Sequence, residues 1–427
     1  MRTTILGLAA ICAGCGLGLG GSDLSAQSSA GSAERREARE VRLAVMTRNL
    51  YLGADILGLA TAADGEAAVA AANLAWATVQ ATRFPERAEA LAREIDQAGP
   101  DVLALQEVTT WRLGFPDACL AGGPVPPSAG DVAYDFLAIL LQALERRGLR
   151  YEVAAQVTSM DVELCIGDLA DPSTMRDLRY TDRDVMLVRQ GVNWRDPTLP
   201  PAQPLPGFVP APVPPGPGDR NGALYAVSLG ADVPATAFFT IGGGGDPVFS
   251  WRGWTAVEVK SGERWIRVFG THVEDTLAMP PESGLEPWFF QALQDAQLVA
   301  IVDAVYLDPA TTLPTVVLGD FNAYVEPANP APPTYAFLTG GPFPLDPALD
   351  GVSPLRDAWT ALHPGDWGFT WGFDPTLRGG SLVTRLDLVL ATPEVAPVAI
   401  SRTGVHERIR GMHPSDHAGL TATLAIR

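Results

Sequence analysis

Residues 315–324 read "TVVLGDFNAY": an apolar run closes at Gly319, and Asp320 and Asn322 then stand on either side of a phenylalanine. A buried strand that stops at glycine and at once shows a carboxylate and an amide presents polar groups at a sheet edge, where open α/β sheets bind ligands. Gly, Asp and Asn are also the ordinary residues of tight turns, so this stretch alone supports either reading. Other apolar runs end in the same way. Asn49 follows "VRLAVMTR" and Glu107 follows "DVLALQ"; His272 stands in "FGTHVED", Asp387 in "RLDLVL", and Asp416 and His417 in "HPSDHAGL". Each has a plainer account. Glu107 suits the first turn of a helix, His272 a hydrogen-bonded core position, Asp387 an ion pair with Arg385, and "HPSDHAGL" a Ser/Asp turn. All of these accounts must hold together for the constellation to vanish.

Carboxylates with an amide and no cysteine suit a hard, oxygen-preferring cation, Mg2+ or alternatively Mn2+ or Ca2+. Hydrolysis of a phosphate ester asks for an oriented water, neutralised non-bridging oxygens and relief of charge on the leaving oxygen. On this reading Asn49, Glu107 and Asp416 hold the metal. Asp320 accepts the proton of the attacking water and Asn322 keeps that water in line. His272 and His417 donate to phosphoryl oxygens, and Asp387 fixes the tautomer of one of them.

In chain order, "TRNLY", "LALQEV", "GTHVED", "LGDFN", "TRLDLVL" and "PSDH" resemble the motifs of the endonuclease/exonuclease/phosphatase superfamily. That group holds deoxyribonuclease-I-like enzymes, abasic-site endonucleases, neutral sphingomyelinases and inositol polyphosphate phosphatases. GDFN with a C-terminal SDH is the specific part, and the likeness runs from Asn49 to His417. The resemblance implies an α/β four-layer sandwich of the deoxyribonuclease-I type, two mixed β-sheets packed face to face with outer helices. It implies a divalent metal at Glu107, an Asp387–His417 pair at the phosphate, and Asp320 and Asn322 at the water. Arg183, before "DVMLVR", matches the place of a phosphate-contacting arginine.

The elements that must carry these residues are legible as a layered α/β pattern. Strands are expected at 41–49, 101–108, 183–189, 254–259, 264–275, 315–322, 385–392 and 418–426. Helices are expected at 134–148, at 288–307, and from Pro85 to the Gly99–Pro100 stop. The residues near 110–133, 157–182, 191–250 and 323–357 read as insertions around the cleft, where substrate choice usually lies. Residues 197–218 are proline-rich and extended. The glycines 242–245 suit a hairpin tip better than a phosphate nest. "FSWRGW" (249–254) reads as a strand with packed tryptophans before a membrane-touching or base-stacking surface.

The chain has 427 residues and a net charge of −19. Such an overall anion repels a phosphate backbone, which argues against tight sequence-independent binding to nucleic acid unless a metal or a local cationic site reverses the field. Residues 1–26 have the layout of a secretory signal cleaved after Ala26. "CAGC" offers a lipobox ending at Cys15, with Cys12 where Leu or Val is usual. Residues 27–40 then form a disordered linker and 41–427 the catalytic domain. An exported chain is expected, extracellular, periplasmic or lipid-anchored, in which Cys119 and Cys165 can form one disulfide. Cysteine spacing offers no zinc site. The expected activity is a phosphodiesterase; the alternatives are a sphingomyelinase-like phospholipase, a sugar or inositol phosphate phosphatase, and a binding protein that has lost catalysis. The partner is a phosphate ester, in nucleic acid, phospholipid or a small molecule. No stable protein partner is implied, and a monomer is expected.

Overall fold

The structure is a computed structural model that describes residues 41–60, 62, 64–117, 119, 127–198, 218–225, 237–240, 247–250, 252–276, 287–302, 305, 313–342, 350–351, 353 and 355–426. The expected signal over 1–26, its alternative end at Cys15, the linker 27–40, the glycines 242–245 and most of the proline-rich segment lie outside these residues.

In chain order the strands of the first half are β1 (Val41–Asn49), β2 (Val102–Gln106), β3 (Thr110–Gly114), β4 (Asp131–Asp135), β5 (Tyr151–Asp168), β6 (Asp171–Arg189), β7 (Asn193–Arg195), β8 (Gly222–Leu224), β9 (Ala237–Thr240) and β10 (Pro247–Ser250). The second half adds β11 (Gly253–Ser261), β12 (Arg264–His272), β13 (Thr315–Val325), β14 (Arg356–Asp357), β15 (Trp371–Phe373), β16 (Gly380–Ala391), β17 (Val395–Thr403) and β18 (Gly419–Ile426). One sheet runs β17-β18-β1-β2-β6-β3-β4, with β5 along β6. The other runs β14-β16-β13-β12-β11-β7, with β15 on β16 and β8 on β11. Among the described residues β9 and β10 pair with each other alone. Both large sheets are mixed: β1–β2 and β12–β13 are parallel, and their outer neighbours β18 and β16 antiparallel.

Successive strand residues face opposite ways, so a strand covered on both faces reads as unbroken apolar sequence. Val316 and Leu318 pack with Val45, Ala104 and Met186 in the core between the sheets. Val317, between them, faces Leu298, Val299 and Ile301 of the helix Pro287–Val302 on the outside of the second sheet. On the first sheet Leu103 and Leu105 turn outward to the helices Phe84–Ala98 and Phe136–Arg146, while Val102 and Ala104 turn inward. Helix, sheet, sheet, helix is therefore the layer order, the four-layer sandwich expected from the sequence.

Some elements differ from expectation. Residues 157–182 are not a loop: β5 and β6 form one long antiparallel hairpin through them. Its sequence, "DVELCIGDLADPSTMRDLRY", alternates polar and apolar residues too loosely to announce a strand. β17 carries Pro397 and a bulge beside it, which an edge strand tolerates and which hides the apolar run. The helix expected from Tyr134 begins at Phe136, because Asp135 still ends β4 and its carboxylate caps the N–H groups of Leu137 and Ala138. Cys119 and Cys165 are joined by a disulfide with Cα atoms 5.3 Å apart.

Register then does the positioning. His272, Asp320 and Asp387 are direct neighbours across three adjacent strands. Asn49 and Gln106 likewise end β1 and β2 side by side. Gly319 is what this register demands: at φ +154° a Cβ would come within 1.9 Å of the Thr271 carbonyl oxygen on the next strand. Gly319→Ala is therefore expected to cost on the order of 3–5 kcal/mol. Urea midpoints measure it, and a loss below about 1 kcal/mol would contradict this close approach.

Candidate active site

Beyond Asp320 the ladder between β13 and β16 breaks, resuming only at Val325 opposite Arg385. The bulge re-aims the chain, with Asn322 at φ +44° and Tyr324 at φ +47°. Glu107, just past β2, sits at φ +57°. Left-handed backbone at non-glycine residues is costly and concentrates where side chains must be presented at a fixed angle.

Asn49 ties the constellation together. Its Nδ2 donates to Glu107 Oε1 at 2.9 Å and to Asp320 Oδ2 at 3.1 Å, while its Oδ1 accepts from the Tyr51 N–H at 2.8 Å. The other Glu107 oxygen accepts from the Leu52 N–H at 2.7 Å. Asp320 Oδ1 accepts from the Asn322 N–H at 3.0 Å, and the Asn322 side chain donates to the Val273 carbonyl at 3.0 Å. His417 Nδ1 lies 2.9 Å from Asp387 Oδ2. His417 Nε2 and His272 Nε2 both stand 3.7 Å from Asp320 Oδ2, approaching the same carboxylate from two sides. Asn49, His272, Asp320, Asn322, Asp387 and His417 are buried, whereas Glu107 and Asp416 form the half-buried mouth.

Two buried arginines hold the backbone beneath. Arg48 donates to the His417 carbonyl at 2.6 Å and pairs with Glu94 at 3.2 Å. Arg87 donates to the carbonyls of Leu50, Tyr51, Thr82 and Pro414. The segments that carry Asn49 and Asp416 are thereby fixed to each other.

Arg183 is not among the gathered groups. Its guanidinium donates to the Val108 carbonyl at 3.0 Å, to Thr110 at 2.9 Å and to Asp135 at 3.0 Å. Its neighbours Asp182 and Asp184 take the opposite strand parity and are buried on the site's side. Asp184 Oδ1 lies 3.7 Å from His272 Nδ1, and neither Asp184 oxygen has a hydrogen-bond partner among the described residues. Among the described residues a cation that does reach the site is Arg252, which sequence reasoning missed. Its Nη1 is 3.1 Å from His272 Nε2, and its Nη2 is 3.5 Å from Glu274. The signal was countable: β11 and β12 meet at a two-residue turn, so Gly253 must face His272 and Arg252 must stand beside it. In the same stretch Trp254 packs edge-on against Phe269, the packed tryptophan expected there.

Burial raises the carboxyl groups. Asp320 is pushed up to about 6 by desolvation, with Asp387 adding and His417 opposing. Desolvation likewise lifts Asp416 to about 6. It also raises Glu107, where Asp182 adds to it, and holds Asp184 well above the usual range. The histidines part company. Burial pulls both down, but Asp387, Asp416 and Asp320 outweigh it at His417 and lift that ring to about 10. At His272 burial, Arg252 and His417 act together and hold it far below its ordinary value.

An all-oxygen set, Asn49, Glu107 and Asp416, borders this excess of desolvated carboxylate and fits a hard divalent cation. Asp320, Asp387 and His417 also bring ligand atoms within 4.8 Å of one another. There, however, His417 offers an imidazole nitrogen, which suits softer metals than an all-oxygen set does, and its Nδ1 is already bonded to Asp387. The mouth set is the better fit.

The endonuclease/exonuclease/phosphatase family model matches residues 70–417. The chain belongs to that family. It is accordingly a phosphoric ester hydrolase, of a family whose members typically use divalent metals. Similar solved structures include an endonuclease/exonuclease/phosphatase family protein from Leptotrichia buccalis, 13% identical over 90% of this chain and 100% of that one, TM-score 0.47. A Bacteroides thetaiotaomicron member is 13% identical over 91% and 99%, TM-score 0.45. A humanized D. rerio TDP2 is 14% identical over 90% and 98%, TM-score 0.43. No curated protein matches the chain.

The opposed histidines make a direct measurement. In the metal-free chain, histidine NMR should show His417 protonated until about pH 10 and His272 neutral throughout the neutral range. Raised groups stabilise the fold below their unfolded values. The His417 contribution is thus full below pH 6.5 and lost as pH rises through about 10. Those of Asp320 and Asp416 are full below pH 3.8 and lost through about 6. A His417 ring that loses its proton near pH 6.5 would contradict the arrangement.

Proposed function

We propose that the chain is an exported, divalent-metal-dependent phosphodiesterase. The observation that carries the reading is the facing of His417, braced by Asp387, and the Asp320 carboxylate across a 3.7 Å gap. Neighbouring groups whose environments push their proton affinities apart mark an acid and a base. At neutral pH Asp320 is ionised yet more basic than an ordinary carboxylate.

In this reading Asp320 takes the proton of a water as its oxygen forms the new bond to phosphorus and the ester P–O bond breaks. Two amide donors, Asn49 Nδ2 and the Asn322 N–H, hold one oxygen of Asp320 each and so fix the plane of the base. The Asn322 side chain is kept beside that water by its bond to the Val273 carbonyl. His417 donates from Nε2 to a phosphoryl oxygen, and Asp387 on Nδ1 sets its orientation. Arg252, with its side chain 17% exposed, replaces Arg183 as the cation offered to substrate. Asn49, Glu107 and Asp416 would hold the divalent cation, which when bound supplies charge neutralisation at the phosphoryl and leaving oxygens.

Export is supported by the signal-like pattern of residues 1–26 and by the Cys119–Cys165 disulfide, which belongs in an oxidising compartment. A second reading, hydrolysis of a phospholipid headgroup or a small phosphate ester, is favoured by the net charge of −19.

Nicking of supercoiled DNA under Mg2+, lost with chelator, tests the first reading. Asp320→Asn and His417→Ala are expected to lower the rate on the order of 10²–10⁴-fold. Arg252→Met should act mainly through KM, raising it about tenfold. DNA left intact under both Mg2+ and Mn2+ would remove the nuclease reading and send the same preparation to sphingomyelin and sugar phosphates. Full activity in His417→Ala would remove the site.

A further inference from the structure

The bulge that aims Asp320 and Asn322 leaves a backbone problem. Between Asp320 and Val325 the β13–β16 ladder is broken, and the β12–β13 register ends at Asp320, so among the described residues no strand pairs with Phe321 and Asn322. Buried carbonyls need donors. The carbonyls of both lie within reach of a single side chain, Gln294, at the middle of the helix Pro287–Val302; its two N–H groups are shared among three carbonyls. Its Nε2 lies 3.2 Å from Phe321 O, 3.1 Å from Asn322 O and 2.7 Å from Glu274 O. Glu274 follows His272 by two residues, so one amide spans the segments that leave β12 and β13.

The orientation of that amide is forced. Three carbonyls crowd one end, which must therefore be the NH2. The other end accepts from the Thr334 hydroxyl in a short contact and from Gln291 at 3.5 Å. Gln294 is 1% exposed and Thr334 1%. The rest of the lattice is local: Gln297 accepts the Glu274 N–H at 2.8 Å, and Val273 donates to the Asp320 carbonyl at 3.0 Å.

We infer that Gln294, locked by Thr334, is a positioning residue that sets the angle of the Asp320–Asn322 bulge against the His272 segment. It touches neither substrate nor reacting atoms. It acts by holding Asn322 in its left-handed conformation, at φ +44°, which an asparagine leaves readily when its carbonyl is released. This rests on the proposed roles of Asp320 and Asn322. A misplaced water-holding amide weakens the transition state more than the ground state, so the loss falls on kcat rather than KM.

The test uses bis(p-nitrophenyl) phosphate with Mg2+, and hydrogen exchange on the same preparations. Gln294→Met keeps length and removes the donors; kcat should fall about 10–100-fold with KM within twofold. Thr334→Val leaves the amide but frees it to turn, and should give a smaller loss of the same kind. The two should be less than additive, since Thr334 bonds Gln294 directly. Peptides covering 319–325 and 272–276 should exchange faster in both variants. Unchanged kcat and exchange in Gln294→Met would overturn the inference while wild-type hydrolysis left the functional reading standing. If the wild type is itself inactive, that reading fails and exchange alone decides the positioning claim. Additive losses, or a loss confined to KM, would also overturn it. Should Gln294→Met not fold, Thr334→Val decides by the same two measurements.

Discussion

Six carboxyl groups gathered at one end of the sandwich impose the constraint that the rest of the structure answers. Glu107, Asp182, Asp184, Asp320, Asp387 and Asp416 act on one another there, Asp182 and Asp184 from within β6, Asp320 from β13 and Asp387 from β16. Two unit charges 4 Å apart repel by about 4 kcal/mol at the effective dielectric near a protein surface, so such a cluster opposes its own burial. The fold offsets this with His417, Arg252 and donors arranged so that Asp320 and Glu107 each accept two hydrogen bonds. Among the described residues the two oxygens of Asp184 remain without a hydrogen-bond partner. Structural arginines are accordingly set behind it: Arg87 reaches carbonyls of four residues, and its ordinary affinity for a proton is lowered by burial to about 10.

The same crowding explains why the two histidines differ. Both rings are buried and both stand 3.7 Å from Asp320. Asp387 is bonded to one, and Arg252 lies against the other. With Asp387 bonded to one imidazole and Arg252 against both nitrogens of the other, a single carboxylate faces a proton donor and a neutral ring at once. Neither ring's state is a property of histidine; each is assigned by the register that brought its partner alongside.

Much of this was legible because the site lies at strand ends. An apolar run that stops at Asn49, Glu107, His272 or Asp320, or starts just past Asp387, announces both the strand and the polar group it presents. Legibility failed where position depended on counting along a strand whose phase was unknown. At β6 a one-residue change of parity separates Arg183, turned to Thr110 and Asp135, from Asp182 and Asp184, turned to the site. Arg252 was hidden by its neighbours, since two tryptophans drew attention to packing. The β5–β6 hairpin and β17 were hidden by weak alternation and by Pro397. The Gln294 strut is a third kind of failure: nothing in a helix sequence tells which buried glutamine will face broken strand carbonyls.

The net charge of −19 bears on encounter and not on chemistry. Exposed charges are screened beyond a Debye length of about 8 Å at physiological salt, so the chain's overall anion slows approach of a polyanion and does little inside the cleft. Within the cleft the local groups decide. Arg252, a protonated His417 and a cation at Glu107 and Asp416 would each lie within a few ångströms of a bound phosphate. A polyanionic substrate would then gain in rate as salt rises from low values and screening removes the repulsion, until competition at the cationic groups takes over. A small ester with a single charge would meet little of that opposition. Salt dependence thus separates the two substrate classes by physics that does not depend on which residues are mutated.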